Sequence, residues 1–360
     1  MLENMNGLSL DLIIHPGETI KEFLEEKNMK QEELAIRTGF SPKHVSEVVN
    51  GKKGISPSFA KSLEYVFGAP MTFWINLQGI YDKEILEYEE QQNIDENEVT
   101  IVKSLKTVLK YAEELEIVKK SKNVIEQLIE LRGLCNVNKL TFIKDLFFNQ
   151  VAFRKSQAVD TDIYTLYVWL RICEICAQRN EIQDEYNAEK LKEKIPQIKK
   201  CMMLEKEEAM QKLKQIFAEC GISFQVVKNV KGAPVQGFIK KEGEKIILTM
   251  TTRRKYADEF WFTLFHEIGH LLNGDIGNTQ YIDYEDTESN MEEEANKFAT
   301  QTLINEDDYR RFINSLNINE ETIKKFAKSQ NVAPFIVVGR MQKETNNYKL
   351  YHEMKVRYEW

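Results

Sequence analysis

The stretch FWFTLFHEIGHLLNG, residues 260–274, carries the strongest structural and chemical signal in the sequence. Its apolar residues recur on nearly every side of a 3.6-residue period, which predicts a helix that is buried all round. The run contains the pattern HExxH, with His266 and His270 one turn apart and Glu267 beside the first histidine. Ionisable side chains in a buried helix are costly unless something satisfies them. We therefore predict that this helix is the centre of the C-terminal fold and that its histidines have a chemical purpose.

The two histidines have the spacing of a pair of metal ligands. Residues i and i+4 share one helix face, so both imidazoles can reach a single ion at about 2.0–2.1 Å, as zinc requires. Glu267 can accept a proton from the water that such an ion activates. Gly269 weakens the helix but permits another backbone to approach closely. The alternative is a pair of core histidines that are satisfied by hydrogen bonds.

A third protein ligand has to come from another segment. The metzincin pattern needs glycine at 273 and histidine at 276, and Asn273 and Ile276 exclude it. In MEEEANKFATQTLI, residues 291–304, Glu292 shares a helix face with small residues that can press against the HExxH helix. We predict Glu292 as the third ligand, and Asn296, one turn on, as a residue that orients a ligand. The alternative is that the three successive glutamates form an exposed acidic helix start.

Three short β-branched segments precede the HExxH helix, at residues 223–230, 235–240 and 244–250. They predict a small antiparallel sheet, and hence an α+β fold that is mainly helical. An exposed strand edge beside the metal could hold an extended peptide by backbone pairing. The weak candidates for stabilising an oxyanion are Tyr281, Tyr284 and Tyr309.

The N-terminal region has the pattern of a helix-turn-helix. Residues 31–38, a turn at Gly39 and residues 41–50 have the required spacing. Five helices are predicted in all, beginning near Pro16, Gln31, Ser41, Ser56 and Thr72. The outward face of the second motif helix and the turn after it carry Ser41, Lys43, His44, Glu47, Asn50, Lys52 and Lys53. Residues 37–53 hold four basic side chains and one acidic one, net +3, which focuses positive charge where phosphates would lie. The alternative is a helical interaction module that does not touch DNA.

Composition bounds the remaining possibilities. The net charge of -8 argues against nucleic-acid binding along the whole chain, but it is compatible with a local DNA-binding region. No apolar run is long enough to cross a bilayer, and the first residues lack a signal-peptide pattern, so we expect no membrane partner. Five cysteines in 360 residues indicate a reducing cytoplasm. The predicted domains are 1–90 (helix-turn-helix), 91–199 (helical, linker or regulatory) and 200–360 (metal-binding, with a helical tail).

The C-terminal motifs resemble the ImmA/IrrE family of zinc metallopeptidases, which is gluzincin-like, over roughly residues 200–345. The resemblance implies His266, His270 and Glu292 as zinc ligands and Glu267 as general base. It also implies a protein substrate, because members cleave, or are implicated in cleaving, a transcriptional repressor. The chain departs from many relatives at Asn273, where histidine is frequent.

The N-terminal stretch, about residues 13–82, resembles the HigA-type antitoxin branch of the XRE/Cro family. The resemblance implies that Gln31 contacts a phosphate. It also implies that the residues near the base edges are Ser41, Lys43, His44 and Ser46. It implies a homodimer on palindromic operator DNA and, in many members, capture of a toxin that cleaves mRNA. We therefore expect a cytoplasmic DNA-binding regulator that carries a zinc endopeptidase. The alternative is a non-proteolytic antitoxin or autorepressor whose metal domain only senses or stabilises.

Overall fold

The computed structural model describes residues 10–150, 162–180, 182–275, 280–284, 290–315 and 317–360. The chain forms two compact units, Met1–Val99 and Thr100–Trp360. The helices that follow residue 100 therefore belong to the same unit as the HExxH helix. The finer division of the chain at residues 90 and 199 stays a prediction.

The first unit contains the five predicted helices. They are α1 (Pro16–Glu26), α2 (Gln31–Thr38), α3 (Pro42–Val49), α4 (Pro57–Phe67) and α5 (Met71–Gln92). Serine caps and first-turn prolines explain two of the starts, since Ser41 Oγ accepts from His44 N and Ser56 Oγ accepts from Phe59 N, each at 3.2 Å. The predicted helix starts are thus confirmed to within one residue.

The core of the first unit lies where the two motif helices meet. Its buried members include Leu34 and Ala35 of α2 and Val45 and Val48 of α3. Helix α1 comes so close to the end of α3 that a Cβ atom at Gly17 would lie 2.7 Å from the carbonyl oxygen of Val49. Glycine is therefore required at this position for space.

In the part of the chain that the structure describes, seven helices lie between α5 and the first strand of the sheet. They are α6 (Glu96–Ser104), α7 (Lys106–Glu114), α8 (Val124–Cys135), α9 (Ile143–Gln150), α10 (Ile163–Gln178), α11 (Ala188–Lys200) and α12 (Lys206–Glu219). Short 3-10 turns lie at Leu10–Leu12, Leu140–Phe142, Cys201–Met203 and His352–Met354. Cys173 and Cys176, the CxxC pair, are free thiols on α10, which is buried along most of its length.

The sheet has four strands, β1 (Ile222–Val227), β2 (Val235–Glu242), β3 (Lys245–Thr251) and β4 (Gln280–Tyr284), in the order β1-β3-β2-β4. The α+β class is confirmed, but the expectation of a wholly antiparallel sheet is wrong. The chain reverses from β1 to β2 and again in the β2–β3 hairpin, so β3 runs parallel to β1 and pairs with it. Strand β4, which pairs with β2, was not predicted.

One face of the sheet is covered by α10. The ring of Phe238 meets Trp169, whose Nε1 donates to the carbonyl oxygen of Lys228 at 3.1 Å. Gln225 Nε2 donates to the carbonyl oxygen of Cys173 at 2.7 Å. Because successive strand residues point to opposite faces, Ile239 faces the other way. It lies in the main core with the HExxH helix.

The HExxH segment forms α13 (Ala257–Asn273), which α14 (Asn290–Leu303), α15 (Glu306–Ile313), α16 (Glu320–Ser329) and α17 (Pro334–Thr345) follow. Helix α17 packs on α13, and Phe335, Val337 and Val338 are buried. The C-terminal residues hold the start of α13, because Tyr358 N donates to the carbonyl oxygen of Lys255 at 2.8 Å. No helix in the described ranges combines the length and the apolar character that crossing a membrane demands.

Candidate metal centre and nucleic-acid interface

Helix α13 buries the ionisable residues of its HExxH motif as deeply as its apolar ones. The exposed fraction is 5% for His266 and 0% for Glu267 and His270. The helix ends at Gly274, a left-handed cap whose N–H donates to the carbonyl oxygen of His270. The predicted all-round burial of this helix is thus confirmed.

Helix α14 lies against α13 because both helices have small residues where they meet. A Cβ atom at Gly269 would lie 3.1 Å from Cα of Ala295, and Ala295 and Ala299 are fully buried. The close approach that Gly269 was expected to permit is therefore made by α14. It brings Glu292, which is 6% exposed, to the two histidines. The neighbouring Glu293 and Glu294 are exposed.

Three side-chain atoms converge from these two helices. Nε2 of His270 lies 3.0 Å from Nε2 of His266. Oε2 of Glu292 lies 3.1 Å from Nε2 of His266 and 3.6 Å from Nε2 of His270. Tetrahedral ligands bound at about 2.0–2.1 Å are separated by about 3.3 Å. Two imidazole nitrogens and a carboxylate oxygen at this spacing suit zinc, so the residues fit the metal that the motif implies.

The outer nitrogen of each imidazole has its own partner. Nδ1 of His266 lies 3.1 Å from Oδ1 of Asn296, and Nδ1 of His270 lies 2.8 Å from Oδ2 of Asp275. Such contacts fix ring orientation and leave Nε2 for a metal. Asn296 was singled out from the sequence, whereas Asp275 was missed. The signal for it was an acidic residue directly after the glycine that ends the HExxH helix.

The charges in this cluster support one another. Burial alone would raise the pKa of Glu292, but hydrogen bonds from His266 and His270 lower it to about 2. Burial likewise opposes the charged form of His270, yet Glu292 and Asp275 together raise its pKa above the usual value. The cluster therefore favours an ionised carboxylate between two imidazoles, which is a donor set ready to hold a cation.

The carboxylate of Glu267 faces the sheet. It lies against Gly237 on β2, where a Cβ atom would be 2.9 Å from Cγ of Glu267. Strand β2 is paired on both sides, with β3 and β4, so the strand beside this glutamate is not the exposed edge that the sequence led us to expect. The outermost strand on this side is β4.

The three tyrosines considered for an oxyanion gain no support. Tyr281 and Tyr284 are in β4, and their side chains lie outside the described part of the chain. Tyr309 is buried, and its ring lies 3.7 Å from the guanidinium carbon of Arg340. Burial also raises its pKa. Tyr309 is thus placed as a packing residue.

In the first unit, the predicted DNA face surrounds α3. Lys43 is 85% exposed and lies 3.8 Å from Glu47. Asn50 Nδ2 donates to Ser46 Oγ at 3.1 Å, which links a residue of the predicted outward face to one of those expected near base edges. Gln31 is the first residue of α2 and is half-buried. Exposed residues at the ends of α3 are Ser41, Lys52 and Lys53.

His44 is placed differently from its neighbours on this face. Its ring stacks on Phe40 at 4.7 Å between centroids and meets Phe59 edge-on at 5.1 Å. Its Nε2 is shielded from solvent, and burial lowers the pKa of the imidazole. The ring therefore packs as part of the domain, with one nitrogen turned inward.

Two family descriptions match separate parts of the chain. Residues 20–74 match a helix-turn-helix family, and residues 248–340 match the IrrE N-terminal-like domain of peptidase family M78. The second match begins within β3, spans α13 and includes Glu267 and the three candidate ligands.

Individual relatives match the N-terminal part. Virulence-associated protein I of Dichelobacter nodosus is 33% identical over 79 residues, which is 22% of this chain and 73% of the relative. An uncharacterized HTH-type transcriptional regulator of Escherichia coli, YddM, is 33% identical over 66 residues, or 18% of this chain and 70% of the relative.

Solved structures match in the same region. Antitoxin HigA of Pseudomonas aeruginosa, determined with the higBA promoter, is 32% identical and covers 23% of this chain and 91% of its own, with a TM-score of 0.22. An addiction module antidote protein of the HigA family from Coxiella burnetii is 28% identical. The match covers 23% of this chain and 95% of that protein, with a TM-score of 0.21.

Proposed function

Because the chain belongs to the XRE-type helix-turn-helix proteins through its N-terminal unit and carries an IrrE-like M78 peptidase domain in its second half, we propose that it is a DNA-binding regulator with zinc-dependent endopeptidase activity. The observation that carries the enzymatic part is the buried convergence of His266, His270 and Glu292, with both outer imidazole nitrogens occupied by partners. An operator-binding protein acts where the chromosome is, so we place it in the cytoplasm.

His266, His270 and Glu292 would hold the zinc, and Asn296 and Asp275 would keep the two rings in the binding orientation. Zinc in this site would supply Lewis-acid chemistry for hydrolysis of an amide bond. Glu267 acts as the general base: it accepts the proton of the attacking water and delivers it to the departing amine. Its buried position keeps bulk water away from this proton transfer.

The substrate that we propose is an extended segment of a protein, such as a repressor or related regulator. Extended peptides bind at sheet edges through backbone hydrogen bonds, and side-chain pockets add selectivity. The outer side of β4, beside the strand that faces Glu267, is the sheet edge closest to the proposed chemistry.

The DNA-binding role rests on α3 and its surroundings. Lys43, Lys52 and Lys53 are exposed and carry the local positive charge, while Ser41, Ser46 and Asn50 can donate and accept hydrogen bonds. Gln31 at the start of α2 would contact a phosphate. By analogy with the HigA antitoxins that it resembles, a homodimer on palindromic operator DNA is the assembly that we propose.

A second candidate function is favoured by one observation. Glu267 and all three candidate ligands are at most 6% exposed, and a closed site is typical of structural metals. In that case the chain would be a non-proteolytic antitoxin or autorepressor, with a cognate toxin as its partner and a metal that stabilises the fold or senses metal supply.

The Glu267→Gln variant distinguishes the proteolytic function from the non-proteolytic one. We expect purified wild-type protein and this variant to carry about one zinc each, with protein cleavage lost by about 10²–10⁴-fold in the variant. The inactive variant also serves to trap substrates for identification by mass spectrometry. The exposed Glu293→Gln is the matched control and should cleave normally. Equal phenotypes for wild type and Glu267→Gln, with zinc retained, would support the non-proteolytic function instead.

A further inference from the structure

Gly237 is a glycine in the middle of a strand, where glycine normally weakens the sheet. It is buried on β2 and pairs with Met250 on one side and with Asp283 on the other. The pairing with β4 shifts register between Val235 and Gly237, so an irregularity of the β-bulge kind lies directly before this glycine. Glycine inside a strand commonly marks a bulge or a site where another group approaches closely.

The backbone conformation of Gly237 does not explain the glycine. Other glycines in the second unit, such as Gly221 and Gly274, have a positive φ that most side chains avoid, whereas Gly237 does not. Alanine could therefore adopt the same backbone angles. What prevents it is space, because a Cβ atom would be 2.9 Å from Cγ of Glu267 and closer still to its carboxyl carbon and Oε1.

From this contact we propose that Gly237 is a positioning residue for Glu267: the missing side chain is the pocket that holds the carboxylate in the place where it acts as a base. This inference rests on the peptidase function proposed above. Glu267 is fully buried, so the orientation of its carboxylate is set by what surrounds it, and the surface of β2 at position 237 forms one wall.

A methyl group at position 237 should displace the carboxylate and leave the strand in place. Strand β2 is held on both sides by hydrogen-bonded neighbours, so its backbone cannot retreat without breaking two pairings. The atoms that the methyl would meet are the far end of a glutamate side chain, which can rotate. A base displaced by about 1 Å is enough to lose much of the rate that orientation provides.

A double-mutant cycle on folding tests the contact without any assay of activity. In metal-free protein kept in chelator, we expect Gly237→Ala to lower Tm by at least about 3 °C, because overpacking a filled site is destabilising. In the Glu267→Ala background the same methyl group has room, so its effect on Tm should vanish or change sign. An equal loss of Tm in both backgrounds would mean that the methyl group meets the backbone, and it would overturn the proposal.

Kinetics test the consequence for catalysis. Gly237→Ala should retain about one zinc and an unchanged KM, with kcat lowered by about 10²-fold. Adding Glu267→Asp shortens the acid by one methylene and should recover part of that loss, although Glu267→Asp alone is also impaired. Gly133→Ala on α8 is the matched control, since among the described residues no heavy atom beyond the adjacent helix backbone lies within 4 Å of the added Cβ, and it should leave activity unchanged.

Two results would overturn the positioning role, namely full activity in Gly237→Ala or loss of zinc together with activity. If wild-type protein cleaves nothing, the peptidase proposal fails on its own account. The folding cycle still decides whether Gly237 forms the wall for Glu267.

Discussion

Oδ2 of Asp275 lies 2.8 Å from Nδ1 of His270, just beyond the glycine that ends the HExxH helix. The contact leaves Nε2 of the same ring facing Glu292 at 3.6 Å. The helix cap and the candidate metal centre are thus one local structure: the turn at Gly274 returns the chain so that an acidic side chain meets the last histidine of its own helix.

We predict that Asp275→Ala lowers zinc affinity by about 10–100-fold, because the imidazole loses the partner that fixes its orientation. Asn296→Ala should act in the same direction through His266. Competition with a zinc chelator measures both. Asp307→Ala, which removes an exposed acid on α15, is the control and should bind zinc as wild type does. Unchanged affinity in Asp275→Ala would contradict the proposed orienting role.

Metal-free protein should show a pH window in which Glu292 stabilises the fold. Because the pKa of Glu292 falls from 4.5 to about 2, its contribution is present above about pH 4.5 and is lost as the pH falls. Because the pKa of His270 is raised, its contribution is complete below 6.5 and is lost as the pH rises through the folded value.

The excess stability of wild type over Glu292→Gln, measured in chelator by urea unfolding, should therefore be greatest between about pH 4.5 and 6.5. A difference that does not vary with pH would show that the carboxylate and the imidazoles are uncoupled.

In wild type, zinc at about 100 times its Kd should add about 2.7 kcal/mol to the free energy of unfolding. Glu292→Gln should lose most of this gain.

Gly17→Ala should destabilise the first unit severely, by about 2 kcal/mol or more. The added methyl group would meet the carbonyl oxygens that end α3, and those backbone atoms cannot rotate away. Thermal unfolding followed by circular dichroism measures the effect. Gly79→Ala on α5 is the control, since its Cβ would meet nothing within 4 Å, and it should be neutral or stabilising. Equal Tm values for the two variants would refute the close approach of α1 and α3.

Binding to DNA from its own promoter should weaken steeply with salt, because phosphate contacts release counterions. Lys43→Ala should reduce the slope of log Kobs against log salt by about 0.9, the amount expected for one lost phosphate contact. Lys83→Ala, an exposed lysine on α5, should keep the wild-type slope. A wild-type affinity that does not respond to salt would remove the DNA-binding proposal.

The parts of the fold that could be predicted are those that depend on local sequence. The cap at Ser41, the buried HExxH helix and the small residues beside Glu292 each carry their signal within a few turns of helix. These signals act within one element, so spacing and residue type are sufficient to read them.

The parts that could not be predicted depend on pairings between distant segments. The parallel β1–β3 register and the added strand β4 follow from the order in which strands meet, which alternation does not encode. His44 was expected on the DNA face, but its ring packs against Phe40 and Phe59. The close contact between Gly237 and Glu267 depends on how β2 packs on α13, which the sequence does not encode locally.

The contacts of α10 with the sheet have a practical consequence for anyone who excises the second half of the chain. Trp169 and Cys173 belong to a helix that lies well before residue 200, yet they cover the sheet on the face opposite the candidate metal centre. A fragment trimmed to the family match at 248–340, or one begun at 200, would leave Phe238 and its neighbours bare and prone to aggregate. The second compact unit begins at Thr100, so we expect a fragment that keeps the three candidate ligands together with these sheet contacts to start near that residue.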